Sequence, residues 1–432
     1  MPGVAARPFA VAAPRDAASH PSRPASVPRQ VSSSGFLRPA LAGACATGAG
    51  NGLARFGFVP LFPAMVAAGW VEGGEAALLG AVNLAGYLVG TLLGWPLARA
   101  IGVPRALDAA MALIVLSLAA CAANLGLWWF VPWRTLAGVA GGVLMALAGP
   151  AVLSVVPPQR RGTASGVVIS GVGSGVILVS LAMPVLLGRG GVPGAWLGLA
   201  ALVLAFWAFA HPRWPRPAPS EAGGGRGPAG AVAGAPPAQA TAPVPRMVLP
   251  LVAYGFSGAG MVAPMVYLAD LAARGRGMGL AAGAWIWLLF GFGGVAGTLA
   301  GGRMADRIGG GPAFLLWLLV QVAAVALCLV PAVPALTAGA WLGGFAGMGV
   351  TAVALAAARE RAGAAAGLVF ARMTASFAVA QAGVGFALAA LFAATGESHA
   401  AVFGACLGLS AAAAGVAALD VRRRPMPRHP PG

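Results

Sequence analysis

From residue 39 onward the chain alternates long apolar runs with brief clusters of Pro, Gly, Arg and acidic residues. Each run is at least about 18 residues long, enough to cross roughly 30 Å of hydrocarbon as a helix. Breaking the runs at this punctuation predicts helices over 39–68, 76–96, 106–125, 128–157, 162–188 and 193–211. A stretch rich in Pro, Gly and Ala, with scattered Arg, follows at 212–246. It is too polar and too Pro-rich to pack and predicts a flexible connection. Six more helices are expected over 247–271, 279–302, 312–331, 334–358, 362–394 and 399–418.

The expected fold is an all-α polytopic membrane protein of twelve transmembrane helices, arranged as two pseudosymmetric six-helix bundles at 38–211 and 247–418. A β-barrel would instead show short alternating strands. The halves also repeat. Residues 86–102 (GYLVGTLLGWPLARAIG) align without gaps on 293–309 (GGVAGTLAGGRMADRIG), pairing Thr91 with Thr298, Leu92 with Leu299 and Ile101 with Ile308. Two parallel repeats are a transporter architecture with its site between the halves near the midplane.

Composition sharpens this picture. Hydrophobic residues make up 59% of the chain and charged residues only 9%, against roughly 25% charged in soluble domains. All 27 basic residues are Arg, a pattern of GC-rich coding, so the net charge of +17 is not read as nucleic-acid binding. Instead the arginines concentrate in the tails and alternate loops, which puts both termini on the cytoplasmic side of a bacterial inner membrane. Arg274 with Arg276 is the exception to that rule. The opening 1–37 reads as a disordered cytoplasmic tail, with an organellar targeting segment as the alternative, and 419–432 as a second cytoplasmic tail. Cys45, Cys121, Cys328 and Cys406 lie in apolar runs without metal-ligand spacing, so no metal or cofactor is expected.

Several polar residues interrupt these apolar runs. Arg55 falls near the middle of the first predicted helix, where a charge costs about 2.5–3.5 kcal/mol on insertion scales and should face the bundle interior. Thr47, Asn51 and Arg55 are spaced by four and predict a polar stripe; Asn83, Tyr87 and Thr91 repeat that spacing on the second helix. Arg134 shares a face with Gly138. Tyr254 and Gln381 are further cavity candidates, and Arg372 lies on the Ser376 face of the eleventh helix. Each has a second reading, as an interhelical clamp or packing seam. Pro60 and Pro63 suggest that the outer part of the first helix bends.

The motif GRMADRIG (302–309) resembles the loop motif of the major facilitator superfamily, and RTLAGVAGG (134–142) its Arg-then-glycines motif on the fourth helix. With ARFGFVPLFPAM, NLAGYLVGTLLG and PPQRRGTASGVVISGVGSG, the chain is similar to the YbfB/YjiJ group of that superfamily over about 38–418. The resemblance implies the major facilitator fold, with helices 1, 2, 4 and 5 beside the cavity and Arg134 linked to coupling or substrate response. It also implies gating by Gly302, Asp306, Arg307 and Gly309. The first-half loop departs from the motif, since Arg99 stands where Asp is usual and Ala100 where Arg is usual. By pseudosymmetry Arg99 would face Glu360 in a charge-reversed latch. The helix 5 run lacks the Pro of the antiporter pattern.

The expected function is secondary transport of a small, anionic or carboxylate-bearing solute by alternating access. No carboxylate falls deep in a helix; Glu75, Asp108, Asp270, Glu360 and Asp420 lie near ends, and any coupling proton would have to use Asp270, Glu75 or another end-lying acid. The partners expected are the small-molecule substrate and the lipid bilayer, with the chain monomeric. Efflux of varied hydrophobic compounds and a non-transporting sensor on the same scaffold are the alternatives. An enzyme is not expected, because His20, His211, His399 and His429 lie in tails or at helix ends with no catalytic grouping.

Overall fold

The computed structural model describes residue 3 and residues 36–215 and 247–422. The predicted N-terminal tail up to residue 35, the connection from 216 to 246 and the tail from 423 lie outside the described residues, save residue 3. What is described is helical, with no strands among the described residues.

Helix α1 (Leu37–Thr47) runs into a π-helical segment, Gly48–Arg55, and then into α2 (Phe58–Ala67). The first predicted crossing is therefore one path in three pieces. Its irregular part is not where the prolines stand: Pro60 and Pro63 lie inside α2, whereas the widened turns precede them. The glycines Gly48, Gly50 and Gly52 allow this, since their backbones lie against Gly171, Gly141 and Gly175 on neighbouring helices.

Next come α3 (Gly73–Ile101), α4 (Val103–Ala120), α5 (Leu127–Val155) and α6 (Arg161–Ala210). Glu72 and Glu75 close a capping box at the start of α3. At 50 residues α6 would be about 75 Å long if straight, at 1.5 Å per residue. Gly191, with φ 58° and ψ −155°, breaks it two residues before Pro193, between the two helices predicted there.

The second half opens with α7 (Val248–Gly260), α8 (Val262–Val266) and α9 (Leu268–Asp270), followed by a π segment, Leu271–Gly275. Then follow α10 (Gly279–Ile308), α11 (Gly310–Leu329), α12 (Val333–Ala362), α13 (Ala366–Ala394) and α14 (His399–Arg422). Among the described residues nine helices are long and apolar enough to cross a membrane. Large apolar side chains on the outer surface, such as Leu92, Trp128, Trp285 and Leu299, are exposed as a lipid solvent requires.

The sequence repeat has a counterpart in how helices touch. Gly86 lies against the carbonyl of Thr135 and Gly293 against that of Trp341; Gly90 lies against Val139 and Gly297 against Phe345. Gly138 and Gly344 in turn meet the carbonyls of Asn83 and Phe290. Each is a place where a Cβ would overlap backbone, so small residues bring α3 onto α5 and α10 onto α12. Each repeat also ends alike, at Gly102 (φ 86°, ψ 148°) and Gly309 (φ 86°, ψ 153°). That backbone suits glycine alone and turns the chain directly into α4 and α11.

Candidate functional site

A small cavity opens between the first and second halves, lined by Arg55, Phe58 and Val59 from the first path, Gly80, Asn83 and Leu84 from α3, Arg134 from α5, and Met265 and Val266 from the α7–α8 path. Its free space, about 10 Å³, suits roughly one water molecule.

Arg55 sits at the end of the π segment, partly buried. Its guanidinium donates to Gln381 Oε1 on α13 at 2.7 Å and stands 5.0 Å from the Phe56 ring and 4.9 Å from the Tyr87 ring. The hydrogen bond crosses from one half of the sequence to the other. Gln381 is itself buried, with its amide nitrogen 3.3 Å from Met265 Sδ.

Arg134 is 1% exposed. Its Nη1 donates to the Ala54 carbonyl at 2.8 Å, and its guanidinium lies 4.4 Å from the Phe58 ring and 5.8 Å from that of Trp196. Asn83 Nδ2 donates to the Arg134 carbonyl at 2.9 Å, while Arg134 Nε has no hydrogen-bond partner. Among the described residues no carboxylate lies within ion-pair distance of Arg55 or Arg134. Aromatic faces and carbonyl dipoles hold these charges, and both can accept a cation only in part.

The other candidates are placed less simply. Thr47 and Arg55 go to different neighbours, since Thr47 donates to the Val168 carbonyl at 2.5 Å; the predicted stripe is split. Asn51 is buried with its Oδ1 unpartnered and does not line the cavity. Tyr254 also lies elsewhere, packed on Phe377 and Phe314 with its hydroxyl 3.3 Å from Thr351 Oγ1. Arg372 is exposed.

Of the predicted loop residues, Gly302, Asp306 and Arg307 fall within α10 and Arg99 within α3, and all four are exposed. No ion pair joins Asp306 to Arg160 or Arg161 among the described residues. Glu360 accepts from the N–H groups of Gly310 (2.7 Å) and Gly311 (3.2 Å), just after Gly309, and so caps the start of α11. Arg361 pairs with Asp420 at the same end of the molecule.

The opposite end holds a cluster that sequence reasoning missed. Asp270, fully buried, accepts from Arg274 Nε at 2.5 Å and Nη2 at 2.8 Å and lies 2.8 Å from His399 Nε2. Arg274 Nη1 donates to Glu397 at 2.6 Å, and Glu397 accepts from the Gly73 N–H of α3 at 2.6 Å. Beneath it Phe62, Tyr267 and Phe392 pack ring on ring. The cluster thus ties the two halves together at this end. It also accounts for the charge exception: Arg274 is neutralised by acids, and Arg276 donates to the Cys328, Leu329 and Val330 carbonyls. The Asp270/Arg274 spacing of four was the signal available. Treating Asp270 as merely end-lying hid its burial. Replacing Arg274 with alanine leaves Asp270 buried and under-compensated, an expected loss on the order of 3 kcal/mol. Thermal unfolding in detergent checks this; Glu397→Gln, which keeps an acceptor for Gly73, should lose much less.

A second missed cluster anchors the end of the first half. Asp108 Oδ1 receives Trp207 Nε1 at 2.8 Å and Trp214 Nε1 at 2.7 Å, with His211 Nδ1 at 3.0 Å.

The family described as "uncharacterised MFS-type transporter YbfB" matches the chain over residues 48–419. Over 141 residues the chain is 30% identical to a protein of Oryza sativa subsp. japonica named "Probable anion transporter 3, chloroplastic"; that stretch is 32% of this chain and 27% of the rice protein. The match therefore spans about a quarter of that relative's length. With the helical fold, the apolar spans and a family match reaching from the first crossing to the last helix, the chain belongs to the YbfB-type family of the major facilitator superfamily.

Proposed function

We propose that this chain is a secondary transporter of a small anionic or carboxylate-bearing solute, working by alternating access between two six-helix halves. Twelve crossings follow if the α1–α2 path and the α7–α9 path each count as one and α6 counts as two, divided at Gly191. The bundles are then 38–211 and 247–418, with the termini on the cytoplasmic side of the inner membrane.

One observation carries the substrate reading. Among the described residues the two arginines of the inter-half cavity lack a carboxylate partner, whereas Arg274, nearer a helix end, has two and Arg361 one. A cation held in low dielectric without a counter-ion is costly, and an anion arriving there removes that cost. The name of the rice relative, an anion transporter, is in keeping with this. Gating fits the same scheme: the end with Gly73, Arg274 and Glu397 is tied shut, while Asp306, Arg307 and Arg99 at the other end are exposed. The described state is then closed outward and released inward. A coupling proton would be taken by Asp270 or Glu75.

The test is counterflow. Purified protein in liposomes preloaded with unlabelled anion should accumulate the labelled anion saturably. Binding without flux would support the sensor instead, and preferential movement of lipophilic cations would overturn the charge assignment.

A further inference from the structure

We propose that Arg134 is a positioning residue: it straddles the break in the first crossing and thereby aims Arg55 at the opposite half. Its bearing on transport rests on the anion reading above.

The break is local and steep. The Phe56 N–H donates five residues back to the Asn51 carbonyl at 2.9 Å, the Gly57 N–H four back to Leu53 at 3.1 Å, and the Val59 N–H three back to Phe56 at 3.2 Å. Pro60, next along the chain, has no N–H to offer the Phe56 carbonyl. A helix that changes pitch this quickly redirects the side chains at the change, and Arg55 stands there.

Arg134 holds both sides of this junction. Its Nη1 donates to the Ala54 carbonyl of the π segment at 2.8 Å, while its guanidinium lies 4.4 Å from the ring of Phe58, the first residue of α2. The supports of that bridge are themselves fixed. The Phe58 ring stacks on Trp196 of α6 with centroids 6.2 Å apart; Asn83 of α3 donates to the Arg134 carbonyl at 2.9 Å, and one turn on Gly138 is pressed onto the Asn83 carbonyl. The carbonyl that Arg134 grips belongs to the peptide whose N–H is Arg55's own. That unit is planar, so fixing the oxygen fixes the direction in which Arg55 leaves the backbone. From there Arg55 reaches Gln381 Oε1 at 2.7 Å, with the Tyr87 ring of α3 at 4.9 Å. A planar guanidinium grips a carbonyl and lies on a ring at once, which the point charge of a lysine does not reproduce.

The experiment is a double-mutant cycle on the Arg55–Gln381 pair, read as the SDS-induced unfolding equilibrium of the purified full-length chain in mixed micelles without solute. The cycle comprises Arg55→Ala, Gln381→Ala and both together, first with Arg134 in place and then in Arg134→Met and Arg134→Lys. With Arg134 in place, a coupling of about ten-fold in the equilibrium constant is expected for a hydrogen bond to a charged group. In both Arg134 variants the coupling should vanish. Should those variants fail to fold, Phe58→Leu keeps apolar bulk and removes only the ring, and there too the coupling should fall. No coupling with Arg134 in place would overturn the inference, as would full coupling in Arg134→Met, Arg134→Lys or Phe58→Leu, since a merely structural role lowers stability and leaves the pair intact. Those results leave the anion reading standing, because no solute is present. Absence of anion counterflow, conversely, removes that reading and leaves the alignment of Arg55 untouched.

Discussion

Replacing Arg55 with alanine should sharply lower anion transport while leaving the protein folded. Among the described residues the guanidinium contributes to no ion pair, and its hydrogen bond goes to Gln381 across the halves. Removing it also removes a charge that costs about 2.5–3.5 kcal/mol to place mid-membrane, so thermal stability should hold or rise. Transport, by contrast, loses the charge-assisted contact to the solute. At about 1.5–3 kcal/mol for such a bond, flux at low solute concentration should fall by roughly 10- to 100-fold. The clamp reading makes a different forecast: if Arg55 only fastens the halves, Gln381→Ala must cost as much as Arg55→Ala. Comparing flux in the two variants separates them, because the substrate reading leaves Gln381→Ala the milder.

The second large effect is structural. Gly90→Leu should prevent assembly of a stable protein, because even a Cβ at that position overlaps the carbonyl of Val139. Neither α3 nor α5 can yield locally, as Gly138 is pressed onto the Asn83 carbonyl and Gly142 onto that of Tyr87 along the same crossing. Overpacking costs about 1–3 kcal/mol where side chains can shift, and here it is backbone that must move. The expected readout is aggregation or a markedly lowered melting temperature on size exclusion and thermal unfolding. Gly344→Leu, at the equivalent crossing of α10 and α12 against Phe290, should behave alike. Gly367→Leu, with open space around the glycine, should leave both readouts unchanged.

These two forecasts draw on different kinds of information. The crossing glycines and the turns at Gly102 and Gly309 were legible as an internal repeat, because close backbone approach and positive φ both restrict a position to glycine. The membrane class was legible because apolar length leaves few alternatives. Arg55 and Arg134 stood out as charges in apolar runs, and the structure brings both to one cavity. Periodicity could not show the π segments at Gly48–Arg55 and Leu271–Gly275, which arise from tertiary packing against neighbouring helices. For the same reason Thr47, Asn51 and Arg55 part company despite their even spacing. Nor could spacing reveal that His399 and Glu397 meet Asp270 and Arg274, since those partners come from distant helices. Asp108 illustrates the limit well: its three partners at Trp207, His211 and Trp214 lie about a hundred residues away. The gating residues proposed at Arg99, Asp306 and Arg307 lie in the last turns of α3 and α10 and are exposed.

The central claim is that the inter-half cavity recognises negative charge through Arg55. Counterflow in proteoliposomes with three probes of matched shape, a branched carboxylate, its neutral amide and the corresponding amine, tests it most directly. Saturable counterflow of the carboxylate alone, sharply lowered in Arg55→Ala, is the predicted result. Transport of the amine or amide at comparable rate, or carboxylate flux undiminished in Arg55→Ala, would contradict it.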